Sequence, residues 1–354
     1  VGIANGWIRF VSTNRLEMEG RTGNADMVGG KLLDQGHYGC IFTSSLYCKN
    51  NKRIPHSERP ALTKLSLKED AEQEYSVARM IRAIPLWKNY FEVAESICIP
   101  ATRQPEPDLR KCDVLKRHRG EEWRLLSMTH RGKALRSFSF DMKRLDFMQF
   151  ITHLVEAGAL LCKHGIVHRD LHVGNIVVDQ HYVPRIIDFG LSLTEHSPHL
   201  DSLLRHVHSL SLLQESPDYT MINAFATGHT RSRMVHTIST KKNLKKMESI
   251  LGIRVTHDLT RLSNMEMIVN GDFTTWFHTY WTKVDSWAIG SVIFQLLIQL
   301  SVWPVFVERI EGKKGLIIAL LRKMCEIHPD HRIDCIEALR MLQPNHAMLR
   351  DVRV

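Results

Sequence analysis

The period of the apolar positions changes about a third of the way along the chain. Residues 31 to 47 mix Leu, Ile, Phe and Tyr with glycine, and Ala61-Leu62-Thr63-Lys64-Leu65 alternates, which predicts short strands joined by turns. Lys49 to Pro60 reads as a polar, basic loop between them. From Glu69 to Ala83 the positions Val77, Ala78 and Ile81 recur at helical spacing, and Pro85 predicts the stop. A turn region from Pro100 to Arg119 precedes an apolar strand, Trp123 to Met128, and Arg131-Gly132-Lys133 reads as a connector. Beyond it the chain reads as mainly helical. Phe147, Phe150, Ile151, Leu154 and Leu161 form one stripe, and Val284 to Leu300 is apolar nearly all round. The stretch Ile222 to Lys283 is polar and rich in His and Thr, with one amphipathic helix near Lys242 to Leu251, and reads as an inserted surface element. Residues 1 to 27 lack periodicity and read as an extension. A β-rich first part meeting an α-rich second part predicts an α+β fold with a ligand cleft between the two.

Composition narrows the classes of function. With 44% hydrophobic and 24% charged residues in 354, collagen-like and disordered chains are excluded. The net charge of +9 favours anionic partners, but it is dispersed apart from Arg110 to Arg119 and Lys241 to Lys246. No basic stripe interleaved with aromatics is present, so a nucleic-acid partner is not expected. Seven cysteines, at 40, 48, 98, 112, 162, 325 and 335, are odd in number and never spaced Cys-x-x-Cys. They predict neither a disulfide framework nor a zinc site, and a reducing intracellular setting, cytoplasmic or nuclear, is the expectation. Arg9 and Arg15 break any apolar run of signal-peptide type. Ser286 to Val307 carries no charge, yet Gln295, Gln299 and Pro304 argue for a buried helix and against an integral membrane segment.

The chemistry concentrates in His168-Arg169-Asp170-Leu171-His172-Val173-Gly174-Asn175, followed thirteen residues after Asn175 by Asp188-Phe189-Gly190. Ile176-Val177-Val178 and Arg185-Ile186-Ile187 read as a hairpin that would bring Asn175 and Asp188 to facing strand ends. Phosphoryl transfer needs an oxygen nucleophile held in line and divalent cations to offset phosphate charge. One carboxylate facing an acceptor hydroxyl, with a second carboxylate and an amide on the metal, meets that need.

These motifs resemble the catalytic and magnesium loops of the eukaryotic-type protein kinase family, serine/threonine kinase-like and divergent. The resemblance covers about residues 30 to 345 and implies a bilobal fold: an N-lobe over 28–126, a hinge at 127–133 and a C-lobe over 134–354, interrupted at about 222–283. It implies Asp170 as the base, with Asn175 and Asp188 on Mg2+ or Mn2+. Asp34-Gln35-Gly36-His37-Tyr38-Gly39-Cys40-Ile41 is similar to the family's glycine-rich loop, which places Gly36, Gly39 and Ile41 at ATP. Ala61-Leu62-Thr63-Lys64 is similar to Val-Ala-Ile-Lys, which makes Lys64 the phosphate-gripping lysine and Glu74, or failing that Glu72, its helix partner. Met128 falls among the nucleotide-binding positions. Lys283 to Gly290 resembles the start of the central buried helix, with Asp285 at its N-terminus receiving catalytic-loop amides. Arg332 is expected to pair with Asp218, and Asp334 with Glu337 to form a capping box.

Three departures stand out: Asp34 replaces the first glycine, Leu62 the usual alanine, and His172 the lysine that contacts the transferred phosphate. Arg169 beside Asp170 implies control by a phosphorylated hydroxyl, with Ser192, Thr194, Ser197, Ser202, Ser209 and Ser211 as candidates. The long segment between Asp218 and Asp285 suggests a docking or partner element and is similar to insertions in kinases of large DNA viruses, which would put the chain in a host cell or virion. The implied activity is transfer of the γ-phosphate of MgATP to a serine or threonine of a protein. The alternatives are a small-molecule phosphotransferase of aminoglycoside or choline type, and a pseudokinase acting as a nucleotide-binding scaffold.

Overall fold

Two cystines and a five-stranded sheet organise the first third of the chain in the computed structural model. It describes residues 31–350 except 37–38, 44–45, 50–60, 103, 105–107, 119, 195–196, 198–199 and 201–214. The antiparallel sheet contains β1 (Lys31–Gln35), β2 (Gly39–Thr43), β3 (Ala61–Leu67), β4 (Ser96–Cys98) and β5 (Trp123–Thr129), in the order β1-β2-β3-β5-β4. The register Leu65↔Leu125 and Lys64↔Leu126 turns alternate residues to opposite faces. Leu65 and Leu125 thereby join Cys40, Phe42, Leu46, Cys112 and Val114 in a small core on one face. Helix α1 (Lys68–Arg82) follows β3 directly, with Glu69 and Asp70 in its first turn and Arg79 and Arg82 in its last, all favourable to the helix dipole. Ala71, Glu74, Val77, Ala78 and Ile81 form its buried stripe, so Glu74 is carried inward on the apolar face.

The second part is helical. Helix Phe147–Lys163 is capped by Asp146, whose carboxylate accepts from the Gln149 amide at 2.9 Å. It crosses the central helix Phe273–Leu300 closely at Gly158, where a Cβ would lie 2.5 Å from Ile289 Cδ1 and 2.6 Å from Cys335 Sγ. A three-stranded sheet, Lys133–Ala134, Ile176–Val178 and Pro184–Ile186, lies beside these helices, and Ile166–Val167 pairs with Leu193–Thr194. The fold is therefore a bilobal, kinase-like α+β arrangement. Among the described residues no helix is long and apolar enough to cross a membrane. The extension 1–27 lies outside the described residues.

Three expectations are corrected. The central helix starts at Phe273, capped by Asp272, so Asp285 sits inside it and not at its N-terminus. Its first eleven residues alternate polar and aromatic positions and lack the uniform apolarity that marks the rest. The stretch read as a surface element is instead a run of helices, Pro217–Ala226, Arg231–Ser239, Lys242–Leu251, Val255–Leu262 and Glu266–Val269. Met234, Ile238, Leu244, Met247, Leu251, Leu259 and Leu262 from this run enter the main core beside Phe273 and Trp276. Each of these helices offers only a few apolar positions, which make a face only when stacked together.

The third correction concerns cysteine. Cys40 is bonded to Cys112 and Cys48 to Cys98, across 72 and 50 residues. No local spacing announces such pairs, because the sheet brings their partners together. The cysteine pattern consequently gives no ground for a reducing compartment. Closing loops of this length stabilises by up to about 4 kcal/mol each in the chain-entropy model. Treatment with dithiothreitol is expected to lower the melting temperature by about 5–10 °C. A variant with all four of these cysteines replaced by serine should melt at the same temperature with or without the reductant, as scanning calorimetry can check.

Candidate active site

The Lys64 ammonium lies between two carboxylates, 2.7 Å from Glu74 Oε2 and 2.8 Å from Asp188 Oδ1. Strand β3 aims the lysine away from the small core, α1 supplies Glu74 on its buried stripe, and the segment after Pro184–Ile186 supplies Asp188. Glu72, the fallback partner, instead meets Arg124 at 3.3 Å on the outside. Burial alone would lower the Lys64 pKa, but Asp188 and Glu74 outweigh it and hold the amine well above its usual value. Burial would likewise raise Asp188, yet Lys64 keeps that carboxyl below its ordinary range. Asp188 takes a left-handed backbone, φ 63°, and Phe189 anchors it, edge-on to Phe91 at 5.9 Å and against the His168 ring at 4.7 Å. Gly190 lies against the triad: a Cβ there would be in ordinary contact with Glu74 Oε2 at 3.4 Å and Lys64 Nζ at 3.6 Å.

The catalytic loop hangs from Asp285. Its carboxylate accepts from the His168 amide at 2.7 Å and from the Arg169 amide at 3.0 Å. The His168 ring donates through Nε2 to Ile187 O at 2.9 Å and accepts the Asp170 amide at Nδ1, which fixes its tautomer. Asn175 donates through Nδ2 to Asp170 O at 2.9 Å and to Asp170 Oδ2 at 3.1 Å. The Ile187 amide donates to Asn175 O at 3.0 Å, so the pairing Ile176↔Ile186 sets Asn175 and Asp188 at neighbouring strand ends. His172 Nδ1 accepts from the Gly174 amide, and its Nε2 lies 3.8 Å from Asp170 Oδ2. Burial holds the His172 pKa below the usual histidine value, more than Asp170 raises it, so the ring is neutral at pH 7. It therefore does not reproduce the charge of the lysine it replaces.

A cleft of about 320 Å³ opens between the sheet and this loop, bounded by Ile41, Leu62, Lys64, Met128, Val177 and Asp188. Gly36 has open space where a Cβ would go, whereas a Cβ at Gly39 would strike Leu65 O and Ser66 Oγ at 2.5 Å. Gly39 is thus demanded by sheet packing. His37 and Tyr38 lie outside the described residues. At the cleft mouth Asp34 pairs with Arg136 at 3.2 Å, a link that joins the two halves and that no pattern in the sequence announces. Glu92 and His130 also line the cleft. Arg169 donates through Nη2 to the Tyr219 hydroxyl at 2.7 Å and lies over that ring, another contact without a sequence signal. Ser192 is buried, and Thr194 and Ser197 bond to each other. Ser202, Ser209 and Ser211 lie outside the described residues.

The donor set suits a hard divalent cation. With the Asn175 nitrogen committed to Asp170, its oxygen is the end left for a metal, beside a carboxylate at Asp188. Two oxygen donors match Mg2+, which relies on phosphate oxygens and water for the rest of its shell. Among the described residues no group of three or more His, Cys, Asp or Glu side chains could hold a metal unaided.

Comparison with known proteins agrees with this class of fold. A family described as "Phosphotransferase enzyme family" matches residues 53–196. The chain is 27% identical over 171 residues to a serine/threonine-protein kinase, CBK1, from Pneumocystis carinii, covering 48% of this chain and 30% of that protein. It is 29% identical over 176 residues to CBL-interacting serine/threonine-protein kinase 15 from Arabidopsis thaliana, covering 49% and 37%. A 38-residue stretch is 58% identical to the DNA damage-responsive serine/threonine-protein kinase RqkA of Deinococcus radiodurans, covering 10% and 6%. The chain thus spans well under half the length of these curated relatives. These fungal, plant and bacterial relatives lend no support to the viral resemblance. The matches make the chain protein-kinase-like, and they support a phosphotransferase of the kinase type.

Below the site, Arg332 and Asp218 are fully buried and 2.8 Å apart, and Asp218 Oδ2 also accepts from Trp276 Nε1 at 3.0 Å. Removing one member of such a pair leaves an uncompensated buried charge. Asp218→Ala is expected to lose about 3–5 kcal/mol of stability, measured by urea denaturation. Asp334 and Glu337 form a reciprocal capping box nearby and are the local control: Glu337→Ala should cost about 1 kcal/mol.

Proposed function

We propose that the chain is a protein kinase that transfers the γ-phosphate of MgATP to a serine or threonine hydroxyl. The observation that carries this reading is the Lys64 ammonium held between Glu74 and Asp188 in the cleft, with Asp170 and Asn175 hydrogen-bonded to each other on the loop that borders it through Gly174. Residues 28–126 carry the nucleotide-gripping half, 127–133 the hinge and 134–354 the acceptor half. Ile41, Leu62 and Met128 form apolar walls for the base, and Lys64 neutralises the α and β phosphates. Asp188 and the Asn175 oxygen would hold the divalent ion, which would supply positive charge to offset that of the phosphates. Asp170 accepts the proton of the acceptor hydroxyl as its oxygen bonds to the γ-phosphorus and the bond to the ADP oxygen breaks. Asn175 keeps the Asp170 carboxylate oriented for that transfer.

A second reading, a small-molecule phosphotransferase, is favoured by the family match over residues 53–196. Asp285 on the catalytic-loop amides and the buried Arg332–Asp218 pair support the protein-kinase branch. Intact Lys64, Asp170, Asn175 and Asp188 argue against an inactive scaffold.

Incubation with labelled ATP, Mg2+ and a mixture of basic and acidic protein substrates is expected to label protein, and Asp170→Asn to reduce turnover by at least ~100-fold. Label appearing only on a small acceptor, or in no product, would overturn the reading. Asp188→Ala is expected to abolish Mg2+-dependent nucleotide binding in titration calorimetry; unchanged MgATP affinity would remove Asp188 from the metal site.

A further inference from the structure

The catalytic loop is a thin partition between two cavities. Gly174 lines the nucleotide cleft, while His172 and Val173, immediately before it, line a second cavity of about 300 Å³ on the other side. His172 Nε2 lies 3.8 Å from Asp170 Oδ2, so the second cavity adjoins the base through that ring. The walls of the second cavity come from separate parts of the chain: the catalytic loop, Glu215 ahead of helix Pro217–Ala226, Trp287 of the central helix, and Leu244 and Met247 of helix Lys242–Leu251. Leu244 and Met247 belong to the stretch between Asp218 and Asp285 that is unusually long in this chain. That stretch therefore builds part of the acceptor side and is not an appendage remote from it.

We propose that this cavity selects the substrate by seating one bulky, uncharged, apolar side chain next to the acceptor serine or threonine, with Leu244 and Met247 as the specificity-determining wall. The inference rests on the protein-kinase reading and adds the substrate class to it.

Charge and solvation support the choice of occupant. Glu215 and Lys241 both line the cavity and attract each other, so neither is left as an isolated charge to recruit an ionic side chain. Burial pushes the Glu215 carboxyl up to about 7 although Lys241 opposes the shift, and burial pulls the Lys241 amine down to about 8 although Glu215 opposes that. A space that penalises its own charges in this way penalises a visiting one as well. Polycationic small acceptors and acidic or basic flanking residues are disfavoured for the same reason. Most of the remaining surface is apolar, with Leu244, Met247, Trp287 and Val292 beside the uncharged Asn243, Ser291 and Gln295, and it returns the free energy of burying a hydrocarbon side chain.

The test is a positional peptide array read as kcat/KM, on the wild type and on two variants. Wild-type protein is expected to prefer Leu, Ile, Met or Phe over Ala at one position flanking the acceptor by at least tenfold. Asn243→Trp, which fills the cavity from its partly exposed edge, should bring that ratio close to one, chiefly through KM. Met247→Ala, which enlarges the cavity, should shift the preference towards Phe and Trp. Melting temperature and MgATP affinity are measured on each variant to establish that it is folded. Peptides phosphorylated with a flat profile, a preference for charged flanking residues, or unchanged selectivity in both folded variants would overturn the inference and leave the kinase reading standing. Phosphate transfer to small acceptors with no peptide labelled would overturn both.

Discussion

The geometry of the site depends on one buried ammonium. Lys64 reaches from the sheet, Glu74 from the helix after it, and Asp188 from a loop more than a hundred residues further on, and each is placed by a different element. A lysine in this position without its partners would lose its proton or remain in water, because burial opposes its charge. The two carboxylates reverse that balance, so the orientation of the sheet over the helical half and the charge state of the lysine are set together. The contact between Asp34 and Arg136 repeats the arrangement at the cleft mouth, where solvent weakens it. The two halves are therefore pinned firmly by the buried pairs and loosely at the cleft mouth, where the contact can open.

Holding the other side of the cleft in place requires strain. Arg169 and Asp188 both adopt positive φ, 67° and 63°, at a cost of about 1–3 kcal/mol each for residues with side chains. Two amide bonds to Asp285 offset the first, and the packing of Phe189 together with the pairing to Lys64 offsets the second. Asp285 can do this because it lies within a 28-residue helix packed on several sides. Its position is fixed by the core and owes nothing to a helix terminus. The correction to the helix start thus changes the physical account: burial raises the Asp285 pKa, and the loop amides counter that effect where a helix dipole had been expected to.

Much of this was legible in the sequence wherever local order carried the information. The alternation around Lys64, the stripe of α1 that includes Glu74, and the thirteen-residue interval between Asn175 and Asp188 each lie within one or two neighbouring elements. What escaped was non-local. The cystine partners are joined only through the sheet, Arg136 meets Asp34 across 102 residues, and Tyr219 reaches Arg169 across 50. Between Ala226 and Phe273 only the amphipathic helix Lys242–Leu251 was legible; the apolar residues of its neighbours are too few per helix to show a period and gain meaning only from stacking.

The two glycines of the nucleotide loop show why a motif and its physical cause must be separated. Gly39 fits a phosphate-binding pattern, yet the crowding of Leu65 and Ser66 against it would demand glycine in any sheet with this register. Gly36 has no such neighbour, so packing within the protein does not account for its missing side chain. Two residues before Gly36, the Asp34 carboxylate is drawn aside to Arg136. An acid at that position is compatible with an anionic ligand in the cleft because the Arg136 guanidinium offsets its charge and keeps the carboxylate turned aside.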